Sequence, residues 1–286
     1  MSRYTGNYNI VNPSRKIFPL IVGAFVIGIV IGGIIGGVGG VLTFIRITGA
    51  NDQPSAPISA PTLSVSLLQT STPNVTSAIL STATSAASEP LGTSLVSPIL
   101  STETPLPPRL YRIVSEESVA QFSVDETIPA GTAIGTTNQV AGDFIIDFAN
   151  AANSQLGIIR INLRTLQTND AERDKSIRCC VLLSAQDAYE FTEFVPTSLL
   201  ALPQQVTFGQ TVAFQVVGNL SLRGVTQPVT FNVSLALDNA ETISGQAIAV
   251  VKRSDFGILD DDMLVYHGVA QDITLRFNFV ARSPAQ

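Results

Sequence analysis

In the second half of the chain, apolar and polar residues alternate. Val212, Phe214, Val216, Leu220 and Leu222 fall on even positions, then Val229, Phe231, Val233, Leu235 and Leu237 on odd ones. A period of two marks strands, each with one apolar face. Stripes of the same period run elsewhere: Ala120, Phe122 and Val124; Phe144 and Ile146; Ile159, Ile161 and Leu163; and Ile273, Leu275, Phe277 and Phe279. Turn-forming residues separate them, among them Pro129-Ala130-Gly131, residues 150–153 and Asp238-Asn239. Short strands at this cadence predict an all-β sandwich or barrel. The switch from even to odd positions predicts a hairpin corner, with residues 223–227 turning the chain and Pro228 ending the turn. Residues 168–191 lack alternation and carry charge in their first half, which predicts a helical excursion capped by Asp170, with Glu172 and Asp174 in its first turns.

A different pattern occupies the amino-terminal region. Residues 17–45 carry no charge and lie between Lys16 and Arg46. A run of this length exceeds the ~20 residues a helix needs to cross a bilayer, and the ~7–15 of a cleaved signal's apolar core, so it is expected to stay as a transmembrane anchor. Arg3, Arg15 and Lys16 before it outweigh Arg46 after it, which keeps residues 1–16 in the cytoplasm. Everything beyond the span is then exported, to the periplasm or the exterior. Cleavage after Ala50, which would release a soluble protein, is the alternative. Gly28, Gly32, Gly36 and Gly40 recur every four residues, a stripe that would let anchors self-associate into a homo-oligomer, although glycine is common in membrane helices generally.

Between span and strands, residues 46–108 read as a disordered stalk. Of the 58 residues from 51 to 108, 36 are Ser, Thr, Pro or Ala, and no periodic apolar face is present. Residues 109–286 form one domain, large enough for its own core. They hold 12 Lys or Arg against 19 Asp or Glu, a net charge of -7, which argues against nucleic acid as a partner.

Within 109–284 a series of motifs runs in a fixed order: Gly142-x-Phe144, IRINLRTLQT, Arg173-Asp174 with Arg178, TEFVPTSL, GNLSLRGVTQPVTFNV, RSDFGI and a closing ITLRFNFVA. In this the chain resembles the YceI-like family. The resemblance implies an extended, lipocalin-like antiparallel barrel of about eight strands, with an interior that holds an isoprenoid or other amphiphilic lipid and no enzymatic cofactor. Carried onto the apolar stripes, it implies a lining of Phe122, Val124, Phe144, Ile146, Ile161, Leu163, Phe214, Val216, Leu220, Leu222, Phe231 and Val233. Where relatives carry histidine at both ends of the second strand, this chain has Glu117 and Glu126, which alters any head-group contact made there. The function expected is a membrane-anchored, exported lipid carrier. A cell-surface structural or adhesion protein with a stable head is the alternative.

Other chemistry finds less support in the residues. His267 is the only histidine, no GxSxG-type nucleophile motif is present, and an enzyme is not expected. Asp260, Asp261 and Asp262 lack the spacing of a calcium loop, and Asp255-Phe256-Gly257 lacks the companion motifs of a kinase. Cys179 and Cys180 admit three readings: buried free thiols, an intermolecular disulfide or a vicinal bridge. Arg173 and Arg178 are expected either to seat the excursion by ion pairs or to form a rim that meets a lipid head group.

Overall fold

The computed structural model of the protein describes residues 53–64, 106–259, 264 and 267–284. The expectations for residues 1–16, the span 17–45 with its glycine stripe, most of the stalk and Asp260, Asp261 and Asp262 lie outside the described residues. Among the described residues, no helix is long and apolar enough to cross a membrane.

Twelve strands form the fold: β1 (Arg109–Ile113), β2 (Val119–Thr127), β3 (Ala130–Thr137), β4 (Val140–Ala141), β5 (Asp143–Ile146), β6 (Gln155–Leu156), β7 (Ile159–Asn162), β8 (Phe191–Leu200), β9 (Thr211–Leu222), β10 (Val225–Ala236), β11 (Thr242–Lys252) and β12 (Asp272–Arg282). They make one antiparallel sheet in the order β4-β7-β8-β9-β10-β11-β12-β1-β5-β6, with β2 pairing both β12 and β3. The sheet curls into a half-barrel. Its β3 margin returns to the segment after β7, where Thr136 and Gln167 exchange backbone hydrogen bonds of 2.8 and 2.9 Å. Twelve strands replace the eight or so expected because the wall between β4 and β7 breaks into short pieces. There the Asp147 carboxylate accepts the N–H groups of Ala149 and Asn150, and Asn150 caps the turn that follows, so local side-chain bonds displace the ladder.

The hairpin corner differs from expectation. Arg223 and Gly224 alone join β9 to β10, both at positive φ (53° and 77°), as a two-residue turn between right-twisted strands requires. Residues 225–227, expected in the turn, belong to β10. The register explains why: Val216 lies opposite Phe231 and Phe214 opposite Val233. Only an even-numbered loop puts even residues of one strand and odd residues of the next on a common face; five residues would send them to opposite faces. Pro228 sits inside β10, opposite Asn219, in a stretch paired on one side only, because β11 joins β10 from Asn232 to Ala236. A ring without an N–H is tolerated there.

The helical excursion forms as expected. The Asp170 side chain accepts the Glu172 and Arg173 N–H groups (2.8 and 3.1 Å) and starts α1 (Ala171–Ser176). A π-helical turn follows (Ile177–Val181) and carries Ile177 into a small apolar cluster with Leu163, Leu166, Leu182, Ile258 and Leu264. This cluster seats the excursion on one end of the half-barrel.

The stalk requires a correction. Residues 53–64 lie against the outside of the sheet. The Ser55 N–H donates to Glu190 Oε1 (2.9 Å), Arg164 donates to the Gln53 carbonyl (3.3 Å), and the Leu63 N–H donates to the Asp143 carboxylate (3.2 Å). Pro54, Pro57 and Pro61 restrict this segment to extended shapes, which lowers the entropy lost on docking. Arg164 and Glu190 are 1% and 0% exposed, and Asn162 donates to Glu190 (2.7 Å), so the segment completes a buried polar cluster. Asp143 is held above the ordinary carboxylate range by burial, an effect opposed by the Leu63 N–H and the Arg112 guanidinium.

Candidate functional site

The concave face of the half-barrel encloses a cavity of about 460 Å³. All twelve residues expected from the stripes line it, on β2, β5, β7, β9 and β10 and in the turn that follows β7. Phe122, Phe144, Phe214 and Phe231 point inward yet are only partly buried, because they face the hollow rather than one another. Aromatic packing holds the wall: Phe144 stacks on Phe279 at 5.2 Å, and Phe194 meets Phe231 edge-on at 5.1 Å. An apolar hollow with few polar groups is the usual form of a small-ligand site.

β11 and β12 supply a wall that the stripes show only in part. Ala247 and Val251 line the cavity on β11, beside Leu275 and Phe277 on β12. The middle inward positions of β11, between Ile243 and Val251, are small, Gly245, Ala247 and Ala249, so its alternation is weak in sequence. Gly245 has a packing reason: a Cβ there would come within 2.6 Å of the Phe279 ring and of the Ser234 carbonyl oxygen. Small residues on β11 thus leave room for the rings that neighbouring β12 carries on the same face, Phe277 and Phe279.

Polar residues line both ends of the cavity, Ser154 and Gln155 at one and a charged group at the other. Asp170 and Glu172, exposed residues of the lining, sit at the start of α1, with Arg173 and Ser176 beside them. Backbone N–H bonds from Arg173 and Glu172 hold the Asp170 carboxyl below its usual range. Arg173 pairs with Glu126 at 3.1 Å and donates to Asn169. It therefore seats α1 against β2 by an ion pair and also lines the cavity. Arg178 does not line the cavity and is buried. Five residues on an α-helix turn a side chain through about 140°, and the π turn intervenes, so the two arginines cannot share a rim.

The two glutamates at the ends of β2 also separate. Glu126 lines the cavity, whereas Glu117 is outside it and forms a bidentate pair with Arg282, which holds its carboxyl below the ordinary range. His267 lines the α1 end, and its Nδ1 lies 2.7 Å from the Ile128 carbonyl oxygen. Cys179 and Cys180 form a vicinal disulfide in the π turn, with Cα atoms 3.7 Å apart. The buried-thiol reading fails there, since Cys180 is exposed. No group of three or more His, Cys, Asp or Glu suited to a metal ion occurs among the described residues.

Two buried arginines that support the site were not singled out from sequence. Arg164 donates to the Ser184 and Ala185 carbonyls and to Asp187, tying down the return from the excursion. Arg253 donates to the carbonyls of Ile258 and Ala270 and so ties these two residues together at the α1 end. Both lie in motifs noted above, IRINLRTLQT and RSDFGI, where a cation among apolar neighbours was the available signal.

Comparison with known proteins places this geometry. A UPF0312 protein of Yersinia enterocolitica is 32% identical over 132 residues, which is 44% of this chain and 64% of that protein. A UPF0312 protein of Serratia proteamaculans is 30% identical over 136 residues, with the same shares. The chain thus spans less than two thirds of the length of these relatives. Similar solved structures include BcnA of Burkholderia cenocepacia (18% identical, TM-score 0.49, 59% of this chain and 98% of that one). A polyisoprenoid binding domain from Saccharophagus degradans is 14% identical, with a TM-score of 0.49 over 61% of this chain and 98% of that one. The family model for the YceI-like domain matches residues 111–281, which run from β1 to the end of β12 and include every cavity-lining stripe. The chain belongs to the YceI-like domain family.

Proposed function

We propose that the protein is a membrane-anchored, exported lipid-binding protein that sequesters or carries an isoprenoid-like amphiphile in a lipocalin-type interior, without enzymatic turnover. The observation that carries this reading is the apolar cavity of about 460 Å³, lined at one end by the polar start of α1. The hollow would take the apolar tail, and burying it yields about 25 cal/mol per Å². A polar head would then lie near Asp170, Glu172 and the Arg173–Glu126 pair. Family membership supports the same ligand class. Export and anchoring rest on the uncharged run 17–45, and self-association of the anchors on the Gly28, Gly32, Gly36 and Gly40 stripe.

Organic extraction of the purified protein followed by mass spectrometry tests the reading. Recovery of one amphiphile class in near-stoichiometric amount is expected. Finding none, and no uptake of polyprenyl phosphate or fatty acid added to the protein, overturns it.

A further inference from the structure

The docked segment 53–64 changes how the half-barrel can stand on a membrane, an inference that rests on the anchored reading above. Gln53 meets the sheet at Arg164, the side chain that also holds Ser184 and Ala185 on the connection carrying α1. This is the end at which Glu126, Asp170, Glu172, Arg173 and His267 line the cavity. Between Gln53 and the uncharged run that ends at Ile45 lie only residues 46–52, a reach of at most about 28 Å. A free stalk through 46–108 would instead hold its ends about 45 Å apart on average and allow any orientation.

Two exposed apolar side chains lie at the same end. Ile128, 53% exposed, is at the tip of the β2–β3 hairpin, and its N–H and carbonyl both bond to His267. Leu259, 68% exposed, follows Ile258, which faces the cavity. The cations near them are paired with acids, Arg173 with Glu126 and Lys175 with Glu172, Asp170 adds a further carboxylate, and in sequence Asp260, Asp261 and Asp262 follow Leu259. This is not a surface that seeks anionic lipid.

We infer that the α1 end of the half-barrel rests on the neutral surface of the bilayer that holds the anchor, with Ile128 and Leu259 entering the head-group layer. The cavity then opens onto the membrane, and an amphiphile passes between bilayer and interior without its tail crossing water. The short tether selects this end, and the two apolar tips hold it there.

The chain has no tryptophan, so one introduced residue is a background-free reporter. Full-length Ile128→Trp, Leu259→Trp and Leu200→Trp variants would be reconstituted in phosphatidylcholine vesicles with brominated acyl chains. Leu200 is 44% exposed and ends β8, about 30 Å along the strand from the α1 end. Quenching of the first two, with Leu200→Trp unquenched, is the expected result. Inserting about twenty Gly and Ser residues after Asp52 should lower the quenching of Ile128→Trp, because the local concentration of a tethered group falls with about the −3/2 power of tether length, here about sevenfold.

Protein that stays with the vesicles through an alkaline wash but shows equal quenching at all three positions, or quenching indifferent to the insertion, overturns the orientation and leaves the anchored reading intact. Protein that does not stay with the vesicles overturns both.

Discussion

Replacing Ala247 with phenylalanine should close the cavity without unfolding the protein. Ala247 lies on β11 between Val233 and Phe277, and its side chain faces the hollow. The added ring has six carbons and a space of about 460 Å³ to enter, so it meets no close-packed wall. Overpacking a filled core costs about 1–3 kcal/mol, and the cost here should fall below the lower figure. A ligand loses the space that the ring takes. If four methylenes of an apolar tail are displaced, at about 0.8 kcal/mol each, binding weakens by about 3 kcal/mol, or about 200-fold. Titration with a fluorescent polyene fatty acid measures the affinity, and urea unfolding of the same preparation measures stability. Unchanged probe affinity in the variant would refute the assignment of the hollow as the binding site. Loss of about 3 kcal/mol or more of stability would show that Ala247 faces packed atoms instead, and would refute the geometry itself.

Three further outcomes follow from the supporting interactions. Arg164→Met leaves Glu190, 0% exposed, buried without its cation, and should cost about 3–5 kcal/mol in urea unfolding, much of it recovered in the Arg164→Met/Glu190→Leu double variant. Glu126→Gln removes the partner of Arg173 and should weaken the seat of α1 by about 1 kcal/mol, seen as faster hydrogen exchange across residues 171–181 with the sheet unchanged. Burial pushes the Tyr111 hydroxyl from its ordinary value of 10.0 up to about 12, despite the nearby Arg109 guanidinium. The folded state therefore keeps a proton that the unfolded state releases, so this contribution to stability is intact below pH 10 and is lost as pH rises through about 12. Denaturation midpoints should fall across that window, and Tyr111→Phe should flatten the fall.

The cavity lining was legible in sequence because period-two alternation encodes a face directly. Phe214 and Phe231 needed no knowledge of register to be placed on one wall. The length of the turn between them was also encoded in the parity of the apolar positions, but the Gly-Val-Thr-x-Pro run drew attention to turn-forming residue types instead of the count. β11 stayed hidden for a different reason. Its middle inward residues are small because the Phe279 ring of neighbouring β12 lies against them, a complementarity that exists between paired strands and not along the chain. The arginines were misjudged as a pair because charge was read without angle, and a π turn has no clear sequence mark. The docking of residues 53–64 was illegible for the most general reason. Its bonds are made by backbone groups, which every residue carries, to a polar cluster assembled from Asn162, Arg164 and Glu190 more than a hundred positions later.

β12 is the last strand in chain order, yet it pairs with β11, β2 and β1, and Ser118 and Val280 join across 162 positions through the serine hydroxyl. Its place matters for the order in which the fold can appear. Until residues 272–282 have been synthesised, β1, β2 and β11 each present an open edge, and the apolar concave face is incomplete. Contacts so distant in sequence form slowly, and unpaired edges invite association between chains. Closure of the sheet is therefore gated by the arrival of β12, and the interval before it is the period in which this protein depends most on protection from its own copies.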